Sequence, residues 1–410
     1  MSLLNKAAVD QNDPIHPFIA NSRLHLVDFK QKNAVYYQDL FPNLRHRLFV
    51  YNFDLNDPLI LKAHLEETQT TLALDCSWAD TLNTLRICDE LNVKYVNTAV
   101  ENALVDEHEE YDGFGLIERY YIFDRQRHVF KKSTAIIGSG MNPGVVQWMA
   151  LELIKENPAQ SPLGCYIVEH DSSFYADKSV ANKHTIYTTW SPECFLDEAI
   201  LSYPMFLKHH VPLFLYQNVY DTEFEVSLGE KTFSGCLMPH EEAVTLGQLF
   251  DMETGFIYKI NDHTSELIRA NLDHVDDLWQ WDMVVLDPAQ QELEGEDLVG
   301  VLLVYEDKEK FMYNVSSNRE IFQKFRVNAT YFQVACGLYA ALATLLLDHL
   351  PQGIYYVDEL LLQTETNYGQ YLKYYMPDFV VGENQLSKGS LLHRIKGSAR
   401  SSPNAQLPNQ

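Results

Sequence analysis

The chain has 410 residues, more than one compact core usually holds, so two or more lobes are expected. Hydrophobic residues make up 46% and charged residues 21%, the composition of a folded globular protein rather than a disordered or fibrous one. The formal net charge of −26, from 57 acidic against 31 basic side chains, repels phosphate backbones and speaks against a nucleic-acid role. It favours cationic ligands, or serves solubility alone.

In chain order, residues 24–29 (Leu24-His25-Leu26-Val27-Asp28-Phe29) read as a short strand closing on an acidic residue. Residues 71–77 form an apolar strand leading into a turn. A helix follows over 81–91, with Leu82, Leu85, Ile87 and Cys88 at helical spacing. Residues 94–101 make another strand. Past an acidic, aromatic stretch comes the strand 133–138, which runs through Gly140-Met141-Asn142-Pro143-Gly144 into a helix over 145–155. Strands alternating with helices through short turns specify a parallel α/β sheet, whose ligand sits beyond the carboxyl ends of the strands. Those ends are Asp28, Ser77, Glu101 and Asn142.

From about residue 164 the texture changes to longer, aromatic-rich strands with polar turns, as over 211–216 and 222–226, then 299–305. A helix is expected over 330–349. The stretch 384–410 is rich in Ser, Asn, Gln and Pro and reads as a partly disordered polar tail. This gives a first domain over 1–160 and an α+β second lobe over 161–383, part of 328–383 packing back on the first.

The six cysteines are scattered, with no paired or zinc-like spacing, which reads as reduced cysteine and no metal site. The apolar run over 334–347 is too short and too polar to cross a bilayer. No leader is evident, so a soluble, cytoplasmic protein without a membrane partner is expected.

A dinucleotide-binding sheet normally opens with a strand, a glycine-rich loop and a helix. Here the first glycine is Gly113, and about twenty residues without glycine precede the strand that ends at Asp28. That strand has the position of a second strand whose acidic residue binds ribose. Either a first strand and phosphate loop lie upstream or the site has decayed, and Asp28 is equally a plain strand-end aspartate.

Several segments carry a likeness, in one order over about 22–380. They are Leu74-Asp75-Cys76-Ser77 with Tyr95 to Glu101, and the Gly140–Gly144 turn. Glu169-His170-Asp171 and Thr189-Trp190-Ser191 with Glu198 follow. Pro239-His240-Glu241-Glu242-Ala243, Asp297 to Leu303 and Asn328-Ala329-Thr330 complete the series. The series resembles the bacterial homospermidine synthases, relatives of saccharopine dehydrogenase and carboxynorspermidine dehydrogenase.

The resemblance implies an α/β fold with a Rossmann-like parallel sheet, its first strand and glycine loop missing, and an α+β second lobe. It further implies a homodimer with NAD as a recycled cofactor, turning two putrescines, or related diamines, into homospermidine and ammonia.

That chemistry needs anionic anchors for ammonium groups, proton acceptors for the reacting amines, and a group that stabilises a transient iminium without attacking it. Trp190 suits the last, since an indole face favours a cation and is not nucleophilic, although most tryptophans are core residues. Glu198 and Glu101 are candidate catalytic carboxylates, and Glu169, Asp171 and Asp297 candidate ammonium anchors; solvated acids are the bland reading. His240 could move protons near neutral pH, though a lone histidine is more often structural. Asn142 could bind nicotinamide or a substrate amine, or simply form its turn. Ser77, Thr98 and Asp28 are the candidate cofactor contacts.

Two rivals stand. A reductive condensation with NAD(P)H would call for a basic clamp on a substrate carboxylate. A non-catalytic polyamine-binding protein would need no phosphate loop.

Overall fold

A computed structural model describes residues 1–29 and 32–396. Its first sheet has four parallel strands in the order Gly353–Tyr356, Thr134–Ile137, Lys94–Asn97, Leu72–Asp75. Thr134–Ile137 in the sheet's interior is buried throughout, as a covered parallel strand is, whereas Leu74 on the edge strand Leu72–Asp75 is exposed. The helix Thr81–Leu91 falls where its periodicity places it. Asp80 caps its start by accepting from the Asn83 amide, and Asn92 closes it in a left-handed turn.

The strand Leu24–Val27 pairs in parallel with Leu48–Tyr51, in a separate two-stranded sheet. Among the described residues no strand joins this pair to the four-stranded sheet. Neither Leu48–Tyr51 nor the helix Pro58–Thr68 is among the sequence-predicted elements. The helix nonetheless carries a start signal, Asp57 capping it ahead of Pro58.

After the helix Val145–Lys155 the chain builds a nine-stranded, mostly antiparallel sheet. Its centre is Gly164–Asp171, flanked in parallel by Glu253–Lys259 and antiparallel by Glu296–Val304. The chain then returns: the helix Ala329–Leu347 precedes Gly353–Tyr356, which completes the first sheet.

That helix has 19 residues, longer than the apolar run suggests, and by length and composition it could span a bilayer. Its most apolar window is 67% buried against the rest of the chain, as in the core helix of a globular protein. It lies tight on the turn that follows Thr134–Ile137: a Cβ at Gly337 would overlap the Gly140 carbonyl oxygen, so only glycine permits this approach. Ser139 Oγ donates to the Gly337 carbonyl at 2.9 Å, fixing the same contact.

The expected polar tail is corrected at its start. Asn384 ends the strand Phe379–Asn384, and Leu391 and Arg394 are buried. The fully buried Glu309 carboxylate demands a counter-ion, and Arg394 supplies it. Residues 397–410 lie outside the described residues. All six cysteines are free.

Candidate functional site

The two sheets meet through polar side chains at the ends of the first sheet's strands. After Lys94–Asn97, the Val100 amide donates to Glu241 Oε1 at 2.7 Å, and Glu241 opens the helix Glu241–Leu249 of the second lobe. Past Thr134–Ile137, Asn142 Nδ2 donates to Glu169 Oε2 at 2.6 Å, and Glu169 lies on the second lobe's central strand. Asn97 Oδ1 ties the two turns together by accepting from the Gly138 amide at 2.9 Å.

His240 precedes the helix Glu241–Leu249. Its Nδ1 is hydrogen-bonded to Glu242, and its Nε2 lies 3.9 Å from Glu198 Oε1. Burial disfavours the imidazolium, but Glu242 and Glu198 outweigh it and push the His240 pKa up to about 9. Glu198 follows Trp190 by way of the short helix Pro192–Leu196, capped by Ser191, and a wide turn over Asp197–Leu201. Burial raises Glu198 to about 8 against the pull of His240. It likewise raises Glu241 to about 7 and Glu101 to about 8, the latter opposed by Arg119.

A second acidic group adjoins the first. Glu169, Asp171 and Asp297 are buried on adjacent strands, and burial holds all three carboxyls above their ordinary range. The charges of Glu242 and Glu198 also act on Glu169, so the two groups form one acidic field. Trp190 is half-buried beside them, its Nε1 donating to Tyr258 Oη at 3.3 Å. That phenol in turn feels Glu169, Asp171 and Asp297.

The structure thus brings together Glu101, Asn142, Glu169, Asp171, Trp190, Glu198, His240 and Asp297 at one junction. Asp28, Ser77 and Thr98 stand apart from the acidic cluster. Asp28 follows the strand Leu24–Val27 and accepts from Tyr37 Oη at 3.4 Å. Ser77 spends its hydroxyl on its own turn, donating to Asp75 Oδ1 at 2.6 Å. Thr98 adjoins Gly140.

Four site residues escape the sequence reading as individuals. Glu241 and Glu242 sit inside the motif around His240 with nothing to set them apart. Tyr258 looks like any strand tyrosine. Arg119, on the helix Gly115–Arg127, bridges Asp106 at 2.8 Å and Asp197 at 3.0 Å, a pairing no local pattern announces.

The decisive feature is acceptor excess. Glu198 Oε2, Glu241 Oε2, Glu242 Oε1 and Asp297 Oδ1 are buried without a hydrogen-bond partner. Buried acceptors are normally satisfied, so oxygens of this kind call for donors brought by a ligand. A ligand rich in N–H groups and positive charge matches them.

No protein-family model matches the chain, and no curated protein matches it either. Among solved structures, apo saccharopine dehydrogenase (L-Glu forming) from Saccharomyces cerevisiae aligns at 9% identity, TM-score 0.55, over 94% of this chain and 96% of that one. The chain is similar to it in fold. A putative oxidoreductase from Thermotoga maritima aligns at 9% identity over 83% of this chain and 92% of that one, but its TM-score of 0.30 is too low to bear on the argument. The first likeness agrees with the expected α/β architecture; at such identity it speaks for fold alone.

A nicotinamide dinucleotide, which the sequence resemblance implies, fits the described residues at one end. Thr98, Gly140 and Asn142 line neighbouring strand ends, where small and amide side chains suit a flat carboxamide ring. Asp28 follows the strand Leu24–Val27 in a two-stranded sheet separate from these strand ends, so the ribose contact expected of it is not matched there. Among the described residues no glycine-rich phosphate loop precedes these strands.

Proposed function

We propose that this protein is an enzyme of the homospermidine-synthase type, which joins two molecules of putrescine or a related diamine with loss of ammonia. The observation that carries the reading is the set of buried carboxyl oxygens without partners around His240 and Trp190. Bound at the strand ends, NAD would supply the hydride exchange, being reduced and reoxidised within one turnover.

The protein's own residues do the rest. Glu198, Glu241, Glu242 and Asp297 offer acceptors for the ammonium groups. Glu198, poised near 8, can take a proton from the reacting amine, whose neutral form is needed for oxidation and for attack. His240, held between Glu242 and Glu198, can return it. The Trp190 face would stabilise the iminium by roughly 0.5–2 kcal/mol without adding to it. Asn142 holds Glu169 in place from the first sheet.

A reductive condensation with a carboxylate-bearing substrate finds less support, because the guanidinium in this cluster, Arg119, is already held by Asp106 and Asp197. A diamine-binding protein without catalysis is the second reading, since the same buried carboxyl oxygens would hold a diamine with no hydride exchange.

Incubation with NAD and putrescine, followed by mass spectrometry of the amines, separates these readings. Homospermidine and ammonia with no net NADH is the expected result. Putrescine that binds but yields no new polyamine supports the second reading instead.

A further inference from the structure

Asp171 and Asp297 face each other on neighbouring antiparallel strands, both fully buried. Two threonine hydroxyls connect them. Thr189 Oγ1 lies 2.5 Å from Asp171 Oδ2, Thr330 Oγ1 lies 2.8 Å from Thr189 Oγ1, and Thr330 Oγ1 lies 2.5 Å from Asp297 Oδ2. Each separation is that of an O–H···O hydrogen bond. Each hydroxyl carries one proton, so the two threonines serve only two of the three contacts. The third proton must sit on a carboxyl. We propose that Asp171, Thr189, Thr330 and Asp297 form a buried proton relay in which the two carboxyls share a single proton.

The relay has two states. In one, Asp297 is protonated and donates to Thr330, Thr330 donates to Thr189, and Thr189 donates to ionised Asp171. In the other every bond points the opposite way. Passing between them breaks the Asp297 O–H bond, shifts both hydroxyl protons one oxygen along, and forms the Asp171 O–H bond. The negative charge moves from Asp171 to Asp297, and no proton is gained or lost.

The surroundings fit one proton rather than none. Burial raises both carboxyls, and Glu169 opposes a second charge on Asp297. Tyr258 is the other titratable group facing the pair. The Ser173 amide donates to Asp171 Oδ1 at 2.9 Å. Asn328 Nδ2 holds the Thr189 carbonyl at 2.7 Å, and Trp190 is the next residue. The relay therefore adjoins the reacting centre proposed above. Its use in taking up and returning an amine proton rests on that reading, although the shared proton does not.

Infrared spectroscopy tests it without any substrate. At neutral pH the wild-type protein, labelled with 13C-aspartate, should show a protonated-carboxyl band that shifts with the label. This measurement needs no variant to fold. Asp171→Asn and Asp297→Asn should each keep the band at full area, because the amide accepts in place of the missing carboxylate and the proton settles on the remaining aspartate. The double variant should lose it. A band absent from the wild type, halved in each single variant, or abolished by one of them overturns the relay. A shared band without homospermidine formation rejects the reaction and leaves the relay; homospermidine without the band does the reverse.

Discussion

At the residue scale the informative atoms are those that lack something. Glu198, Glu241, Glu242 and Asp297 each bury an oxygen without a donor, and His240 is the imidazolium set among the first three. Glu198→Gln removes a charge from His240, so its pKa should fall from about 9 toward the ordinary 6.5, read by NMR of the ring protons. The same change should weaken diamine use more than cofactor binding; equal loss of both would mark Glu198 as structural. Trp190→Ala should leave folding intact and lower turnover by about tenfold, the equivalent of about 1.4 kcal/mol of cation stabilisation. Unchanged turnover would remove the indole from the mechanism.

The acidic residues at strand ends and His240 in its motif are legible in the sequence because residue type and position coincide there. Their partnerships are not. Arg119 meets Asp197 across 78 positions, and Glu241 meets Val100 across 141, separations at which no sequence period operates.

Among the elements, the helix Ala329–Leu347 and the turn around Gly140 set the position of Asn142. Gly337→Ala would drive a methyl into the Gly140 carbonyl, and overpacking of this kind costs about 1–3 kcal/mol. Urea unfolding should show that loss, and a change near zero would mean the turn gives way at no cost. The helices Thr81–Leu91 and Val145–Lys155 appear in the sequence at the same bounds because apolar spacing marks both, and Asp80 caps the first. The start of the polar tail misleads. Its composition suggests a solvated segment, yet a single residue, Arg394, neutralises a buried carboxylate and draws the segment in. Composition averages over residues, whereas one ion pair can decide where a segment lies.

For the whole molecule the cluster sets how stability responds to pH. The folded state raises Glu198 and Glu101 to about 8 and Glu241 to about 7, so from the unfolded carboxylate value upward it holds more protons than the unfolded chain. His240, raised to about 9, adds the same sign between 6.5 and 9: its contribution is full below 6.5 and lost as pH rises through 9. Thermal stability should therefore decline from about pH 5 to about pH 9. A flat profile would show that the buried carboxyls are not proton-rich. The two-sheet architecture is legible in the alternation of elements, while the junction that concentrates this charge arises from contacts between the first sheet's turns and the second lobe, Val100 with Glu241 and Asn142 with Glu169.

Calorimetric titration of the protein with putrescine in buffers of different ionisation enthalpy tests the central claim most directly. A dication entering a cluster of partly protonated carboxyls must displace protons, so the account predicts binding near neutral pH with net proton release, seen as a heat that varies with the buffer. Absence of putrescine binding, or binding whose heat is the same in every buffer, would contradict it.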